Sequence, residues 1–327
     1  MTNSEVLNAS QPDGWDERDW KALLLSIKFK QCTPFLGAGA CAGVLPLGRD
    51  VALTLAEEFD YPFADNTNLL RVAQYVAIED GARTPKYKII EQFADKGPPD
   101  FNDPNEPHRV VADLRLPVYI TTNYDDFMMQ ALKRDIPQRT PQQEICKWYM
   151  ARRRQQAAPE PILDPTPDKP LVFHLHGTLT NIESMVLTED DYLDFLMFIS
   201  EDQQLIPPRI EQAFTESSLL FMGYSLDDMN FKVLFRKLAS YMQRNEGARH
   251  VSVQLAPKKP GQPTGEADDA NAPEQKLTEA EIQELVKRAE KQRLYLQKHF
   301  GLQKVKVYWG KCEEFSAALR ERWEAYK

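Results

Sequence analysis

Four short stretches hold residue types able to bind a phosphate or move a proton. Gly37-Ala38-Gly39-Ala40 follows the apolar run Thr33-Pro34-Phe35-Leu36 and precedes apolar positions at Val51, Leu53, Leu55, Ala56 and Phe59. A strand, a glycine turn and a helix in that order let backbone N–H groups approach a phosphate closely. A tight turn after a buried strand also asks for glycine, so this stretch alone leaves both readings open. In Thr122-Asn123-Tyr124-Asp125 an amide and a carboxylate either cap the next helix or act on a substrate. His174 and His176 stand two apart in a short apolar run, which would put both on one face of a strand. Such a pair can ligate a metal, but no third ligand stands at a helpful spacing, so no metal is expected. His176, at the strand end before Gly177, suits acid–base work near neutral pH, and His174 suits a buried, hydrogen-bonded place in the sheet. Gly223-Tyr224-Ser225-Leu226-Asp227 completes the set. Its serine lacks the G-x-S-x-G elbow of a hydrolase nucleophile, and Asp227 can cap a helix.

Each stretch follows a run short enough to be a strand. Strands are expected at 33–36, 117–122, 171–175 and 218–222, with two more where Val251, Val253 and Leu255, then Val305, Val307 and Trp309, alternate. Helical patterns separate them, notably over 16–28, 227–244, 278–299 and 313–326. Strands alternating with helices imply an α/β, doubly wound, Rossmann-like sheet of six mainly parallel strands. In such sheets ligands sit outside the carboxyl ends of the strands, so the four stretches should converge on one crevice. The whole chain, 1–327, reads as a single domain. Helical insertions are expected at about 49–114 and 178–215, and a flexible loop at about 257–277, rich in proline, glycine and acid. The stretch 140–170 is polar; Arg152, Arg153 and Arg154 beside Trp148 and Tyr149 read as a solvated face.

Composition narrows the chemistry further. At 42% hydrophobic and 27% charged, 327 residues can bury a sizeable core, and no apolar run approaches bilayer length. The first 14 residues lack a basic-then-apolar leader pattern, so a cytoplasmic protein is expected. A net charge of −9 argues against direct nucleic-acid binding. The four cysteines, at 32, 41, 146 and 312, form no C-x-x-C pair. No G-x-x-x-x-G-K-[ST] occurs, which excludes a P-loop. The dinucleotide fingerprint of dehydrogenases also fails, since Glu57 and Glu58 fall inside a helical pattern, away from the end of a second strand.

Taken together, the motifs resemble those of the sirtuin (silent information regulator two) family. Gly37-Ala38-Gly39-Ala40 with Gly43-Val44-Leu45-Pro46 is similar to its Gly-Ala-Gly loop and later Gly-x-Pro. Thr121-Thr122-Asn123-Tyr124-Asp125 is similar to its Thr-Gln-Asn-x-Asp, His176-Gly177 to its His-Gly, and Gly223-Tyr224-Ser225-Leu226 to its Gly-Thr-Ser-Leu. The order agrees over roughly 30–310. Residues 178–222 lack the two zinc-binding cysteine pairs of deacetylating sirtuins, Thr122 replaces their Gln and Tyr224 their Thr. These departures look like the bacterial sirtuin-like proteins of antiphage defence, which cleave NAD and act with a HerA-type ATPase or an Argonaute-like protein. The resemblance implies an NAD+ glycohydrolase that uses NAD+ as substrate and needs no metal. It places Gly37, Ala38, Gly39 and Ala40 at the pyrophosphate, with Thr122, Gly223 and Ser225 also contacting the dinucleotide. Asn123 would meet the ribose or attacking water, Asp125 the nicotinamide amide, and His176 would act as general base. A lysine deacylase, an ADP-ribosyltransferase and a non-catalytic nucleotide-binding subunit remain as alternatives. A homo-oligomer is expected, because closed assemblies are common and the insertions and the terminal Phe315, Leu319 and Trp323 carry spare apolar positions that either dock on a neighbour or close an internal core.

Overall fold

Continuous apolar runs become strands covered on both faces. In the computed structural model, residues 14–134, 139–152, 164–201, 205–224, 236, 249–255, 279–301 and 304–327 are described. Seven strands form one sheet: β1 (Cys32–Leu36), β2 (Val118–Thr121), β3 (Gln142–Ile145), β4 (Leu171–His174), β5 (Ser218–Met222), β6 (His250–Gln254) and β7 (Val305–Trp309). Their order is β3-β4-β2-β1-β5-β6-β7, and every pairing is parallel. The doubly wound α/β expectation therefore holds with one strand more than read from the sequence. The extra strand, β3, is a polar edge of the sheet. It pairs with β4 from Gln142↔Leu171 to Ile145↔His174, and its half-exposed side chains hide it from a search for apolar runs. A second correction concerns the histidines. β4 ends at His174, so His176 lies beyond the strand and the two do not share a strand face.

Side chains alternate between two cores, as a period of two demands. Phe35, Ile120, Phe173 and Phe221 point into one, where Trp148, Phe195 and Phe214 cover them. Leu36, Tyr119, Val172, Leu220 and Met222 point into the other, beneath Trp20, Phe315 and Leu319. The terminal helix Cys312–Tyr326 thus closes the core: Phe315 and Leu319 are fully buried and Trp323 nearly so. The first helix, α1 (Glu17–Lys28), starts at the expected Asp16. The Asp16 carboxylate accepts from the Arg18 and Asp19 amides, and Asp19 accepts in return from the Asp16 amide.

Four helices separate β1 from β2: α2 (Gly48–Glu58), α3 (Leu69–Asp80), α4 (Thr84–Ala94) and α5 (Pro107–Asp113). Val51, Leu55, Val72, Val76 and Ile89 of this insertion pack with Met185 and Leu187 into a satellite core of their own. Those positions are therefore used within the chain, while Phe63, Ile78 and Tyr87 of the insertion stay exposed. Among the described residues four α-helices follow before β5: α6 (Phe127–Lys133), α7 (Trp148–Arg152) and, after β4, α8 (Glu189–Glu201) and α9 (Pro208–Glu216). The buried Lys86 of α4 meets Asp191 of α8 at 2.9 Å, tying the insertion to the segment after β4. The helix expected over 227–244, apart from Arg236, and the loop expected over 257–277 lie outside the described residues.

Candidate active site

After β1 the chain runs to β2 on one side and returns later to β5 on the other. The reversal leaves a crevice outside the carboxyl ends of β1 and β5, where ligands of open α/β sheets bind. Two glycine turns meet there. The Gly37 amide donates to Met222 O (2.8 Å), the Gly39 amide to Gly223 O (2.9 Å) and the Ala40 amide to Gly37 O (2.9 Å). A Cβ on Gly223, at φ +80°, would lie 2.3 Å from the Ala40 nitrogen; one on Gly37 would lie 2.8 Å from Gly223 O. These glycines let the two turns nest. Of the four loop amides expected at a phosphate, three are thereby used inside the fold. The fourth, on the exposed Ala38, donates to none of the described residues.

The end of β2 is locked to the same loop. The Asn123 side-chain amide donates to Gly37 O (3.1 Å) and Cys41 Sγ (3.2 Å), and its backbone amide donates to the Thr121 hydroxyl oxygen (2.9 Å). Asp125 does what a cap would do, since one oxygen accepts from the Phe127 amide at the start of α6. Its other oxygen accepts from the Cys41 thiol at 3.3 Å. Thr122 and Tyr224, the two departures from the sirtuin pattern, contact each other, hydroxyl to hydroxyl, at 2.8 Å. The Tyr224 hydroxyl also reaches Leu36 O at 2.9 Å. Tyr224 lies edge-on to Phe35, and burial holds its phenol well above the ordinary range.

The end of β4 is tied in through Tyr124. Its hydroxyl donates to Val186 O (2.6 Å), the Val186 amide donates to His176 O (3.0 Å), and the Leu179 amide donates to Tyr124 O (3.0 Å). Gly177, at φ +87°, completes the turn: a Cβ there would lie 2.2 Å from Ser184 O, so glycine must follow the histidine. His174 is the buried sheet residue expected of it. Its Nδ1 faces Asn123 O at 3.2 Å, which makes Nδ1 the protonated nitrogen, and burial lowers its pKa. The His176 ring stands edge-on between Phe195 (4.9 Å) and Tyr192 (6.2 Å) of α8. Burial lowers its pKa to about 3, and Nε2 meets no hydrogen-bond partner among the described residues. The imidazole is thus neutral, with an unshared nitrogen. Ser225 lies outside the described residues.

Sequence reasoning passed over three residues of the site. Cys41 Sγ stands 3.8 Å from His108 Nε2, and His108 Nδ1 stands 2.7 Å from Glu106 Oε1. All are buried, and burial together with the Asp125 carboxylate holds the Cys41 thiol well above its usual range. The one local signal was a cysteine directly after the Gly-Ala-Gly-Ala run. Beside this cluster, Leu45, Phe93, Asp125, Phe127 and Leu179 line a cavity of about 150 Å³. It is below the size of a typical small-molecule pocket, enough for one ring of a ligand.

A doubly wound parallel sheet with glycine turns and polar groups gathered at its switch point defines the Rossmann-like class of α/β protein, in which ligands bind at that point. A family model described as "SIR2-like domain" matches residues 117–298, more than half of the chain, and the chain belongs to that family. Among curated proteins it is 25% identical over 231 residues to "NAD(+) hydrolase ThsA" of Cytobacillus dafuensis, covering 70% of this chain and 42% of that one. A protein of the same name from Acinetobacter baumannii (strain 532279) is 22% identical over 220 residues, covering 65% and 40%. The chain thus spans about two fifths of the length of these relatives. A solved structure described as "Structural Basis for the Mechanism and Regulation of Sir2 Enzymes" aligns over 95% of this chain and 99% of that one, at 13% identity and a TM-score of 0.42. No helix among the described residues is long and apolar enough to cross a membrane.

Proposed function

We propose that the chain is an NAD+ glycohydrolase, cleaving NAD+ to nicotinamide and ADP-ribose as an effector of antiphage defence. One observation carries the reading: the Asn123 amide is held on Gly37 O, so the glycine loop and the polar end of β2 form one site. Membership of the SIR2-like family and the likeness to proteins named NAD(+) hydrolase support it. Hydrolysis breaks the bond between nicotinamide nitrogen and ribose C1′ and adds water there, releasing one proton. Positive charge develops on the ribose in the transition state, as in glycoside hydrolysis. In this reading the pyrophosphate lies on the loop Gly37, Ala38, Gly39 and Ala40, with Ala38 supplying the N–H that the fold leaves over. Thr122, Gly223 and Ser225 flank the dinucleotide. Asn123 positions the ribose or the water, and Asp125 accepts from the nicotinamide amide. His176, neutral with an unshared nitrogen, takes the proton from water or a ribose hydroxyl.

The NAD pool on which such an effector would act is cytoplasmic, and unrestrained turnover there would deplete the cell. We therefore expect a homo-oligomer whose activity is held back until a partner, of the HerA-type ATPase or Argonaute-like class, is engaged. Chromatography of NAD+ incubated with the chain, alone and with the product of a neighbouring gene, tests the reading. Nicotinamide and ADP-ribose are expected, and lost in Asn123→Ala. Acyl release from a peptide without NAD+ hydrolysis would make it a deacylase, and no turnover in any combination would make it a binding subunit. Light scattering of the isolated chain tests the assembly; a monomer at micromolar concentration would overturn it.

A further inference from the structure

Three donor atoms from three separate parts of the chain meet in one buried spot. Cys41 Sγ, His108 Nε2 and Asp125 Oδ2 all lie within 4.8 Å of one another. The sulfur is 3.8 Å from the nitrogen and 3.3 Å from the oxygen. Ligands bound tetrahedrally at 2.0–2.3 Å from zinc stand roughly 3.3–3.8 Å apart, and both distances from the sulfur fall in that range.

Two further features bear on what belongs between them. The far nitrogen of His108 is held by the Glu106 carboxylate at 2.7 Å. A carboxylate there keeps the proton on Nδ1 and turns the Nε2 lone pair towards the sulfur and the Asp125 oxygen, the arrangement that orients metal-bound histidines. The charges are also out of balance. Asp125 and Glu106 are both buried and hydrogen-bonded, Asp125 by the Phe127 amide and the Cys41 thiol, Glu106 by His108 and the Arg109 amide, but among the described residues neither meets a lysine or arginine. A buried charge that lacks a counter-charge is costly even when hydrogen-bonded.

We propose that Cys41, His108 and Asp125 form a site for one divalent cation of the zinc class. Thiolate, imidazole and carboxylate together favour zinc or cobalt over magnesium or calcium, which take oxygen ligands. Binding is balanced by one proton: the Cys41 S–H, now donated to Asp125, leaves as the sulfur takes the metal, while His108 binds as neutral imidazole and Asp125 as carboxylate. Three protein ligands leave a fourth position for water or a bound ligand. The ion would pin the turn after β1 to α5 and to the turn after β2. Cys41 Sγ also accepts from Asn123, so loading would set the placement of that amide. The site goes beyond the proposed hydrolase reading and holds or fails without it.

The test uses the tag-free full chain, stripped with a chelator, desalted and mixed with zinc or cobalt(II) chloride at one equivalent. Metal analysis after gel filtration should find one ion per chain. In weak buffer at neutral pH about one proton should be released per ion bound. The cobalt form should show a thiolate-to-cobalt charge-transfer band and the strong visible bands of a tetrahedral site. Cys41→Ser should lose the charge-transfer band and His108→Gln should weaken cobalt binding at least tenfold, while Cys146→Ser, a buried thiol elsewhere, should change neither. Circular dichroism checks that each variant folds, and the wild-type stoichiometry and spectrum stand without any variant. No ion retained by the wild type, or a bound ion without a thiolate band, overturns the proposal. So does a cobalt spectrum unchanged in folded Cys41→Ser.

Discussion

Replacing Gly223 with alanine puts a methyl group into backbone. Its φ is +80°, and the added Cβ would lie 2.3 Å from the Ala40 nitrogen, 2.6 Å from Gly37 O and 2.8 Å from the Gly39 carbonyl carbon. None of these atoms can swing aside as a side-chain tip would. The left-handed conformation costs an alanine about 1–2 kcal/mol. Overpacking a fixed surround adds about 1–3 kcal/mol. Separating the turns strains the Gly39 amide to Gly223 O bond, worth about 0.5–1.5 kcal/mol. Together the loss should be about 2.5–6.5 kcal/mol. Gly43→Ala is the control: φ is +81° there, but nothing stands within 4 Å of the added Cβ, so only the conformational cost of about 1–2 kcal/mol applies. Urea unfolding at constant slope reads both. If the two variants lose stability within about 0.5 kcal/mol of each other, a resolvable difference for mutants of this size, the nested turns are not what requires glycine at 223.

Other consequences can be checked in the same preparations. His176→Ala should lower NAD+ turnover about 10²–10⁴-fold, as loss of a general base does, whereas His174→Ala should keep turnover in its folded fraction; equal losses would reject the division between them. Burial, then the Lys304 charge, lowers the pKa of His250 to about 4, and its Nδ1 accepts from the Leu219 amide at 3.0 Å. The unfolded chain therefore binds more protons between about pH 4 and pH 6.5, and stability should be lost as pH is lowered from about 6.5 to about 4, by up to about 3 kcal/mol from this residue. His250→Asn should flatten that acid limb, and an unchanged slope would count against it. Leu319→Ala should cost about 2–5 kcal/mol by opening a cavity and leave the mass in solution unchanged; a change of oligomer with little loss of stability would mean that this helix docks outward.

The fold was legible wherever burial on both faces forced a strand to be apolar. Cys32–Leu36, Val118–Thr121 and Ser218–Met222 are such runs, and their order with the intervening helices implied a doubly wound sheet. β3 was not legible because an edge strand buries little: Gln142, Gln143 and Glu144 take part through their backbone, on which side-chain pattern is silent. The end of β4 was misjudged by one residue because Leu175 is as buried as a strand residue, and its amide still bonds Thr121 O (2.8 Å) past the last ladder pair.

The candidate site divides along the same line, between chemistry set by neighbours in sequence and chemistry set by neighbours in space. Gly37, Asn123, Asp125, His176 and Gly223 each stand just beyond a strand, so a reader who finds the strands finds these residues. What the glycines do was less plain. Gly37 and Gly39 read as a phosphate loop, and in the fold both spend their amides on β5 and the turn after it, leaving the exposed Ala38 N–H without an acceptor among the described residues. Gly223, 184 residues beyond Gly39, is the other half of that motif. The Cys41, His108 and Asp125 cluster belongs wholly to the second kind. Its members are 67 and 84 residues apart along the chain, and a search for C-x-x-C or for ligands near His174 and His176 passes over them. They meet because α5 and the turn after β2 both pack against the end of β1. That placement follows from the helical insertion lying between the first two strands, which the sequence did declare; the three donor atoms facing one another at its base do not follow from any local pattern.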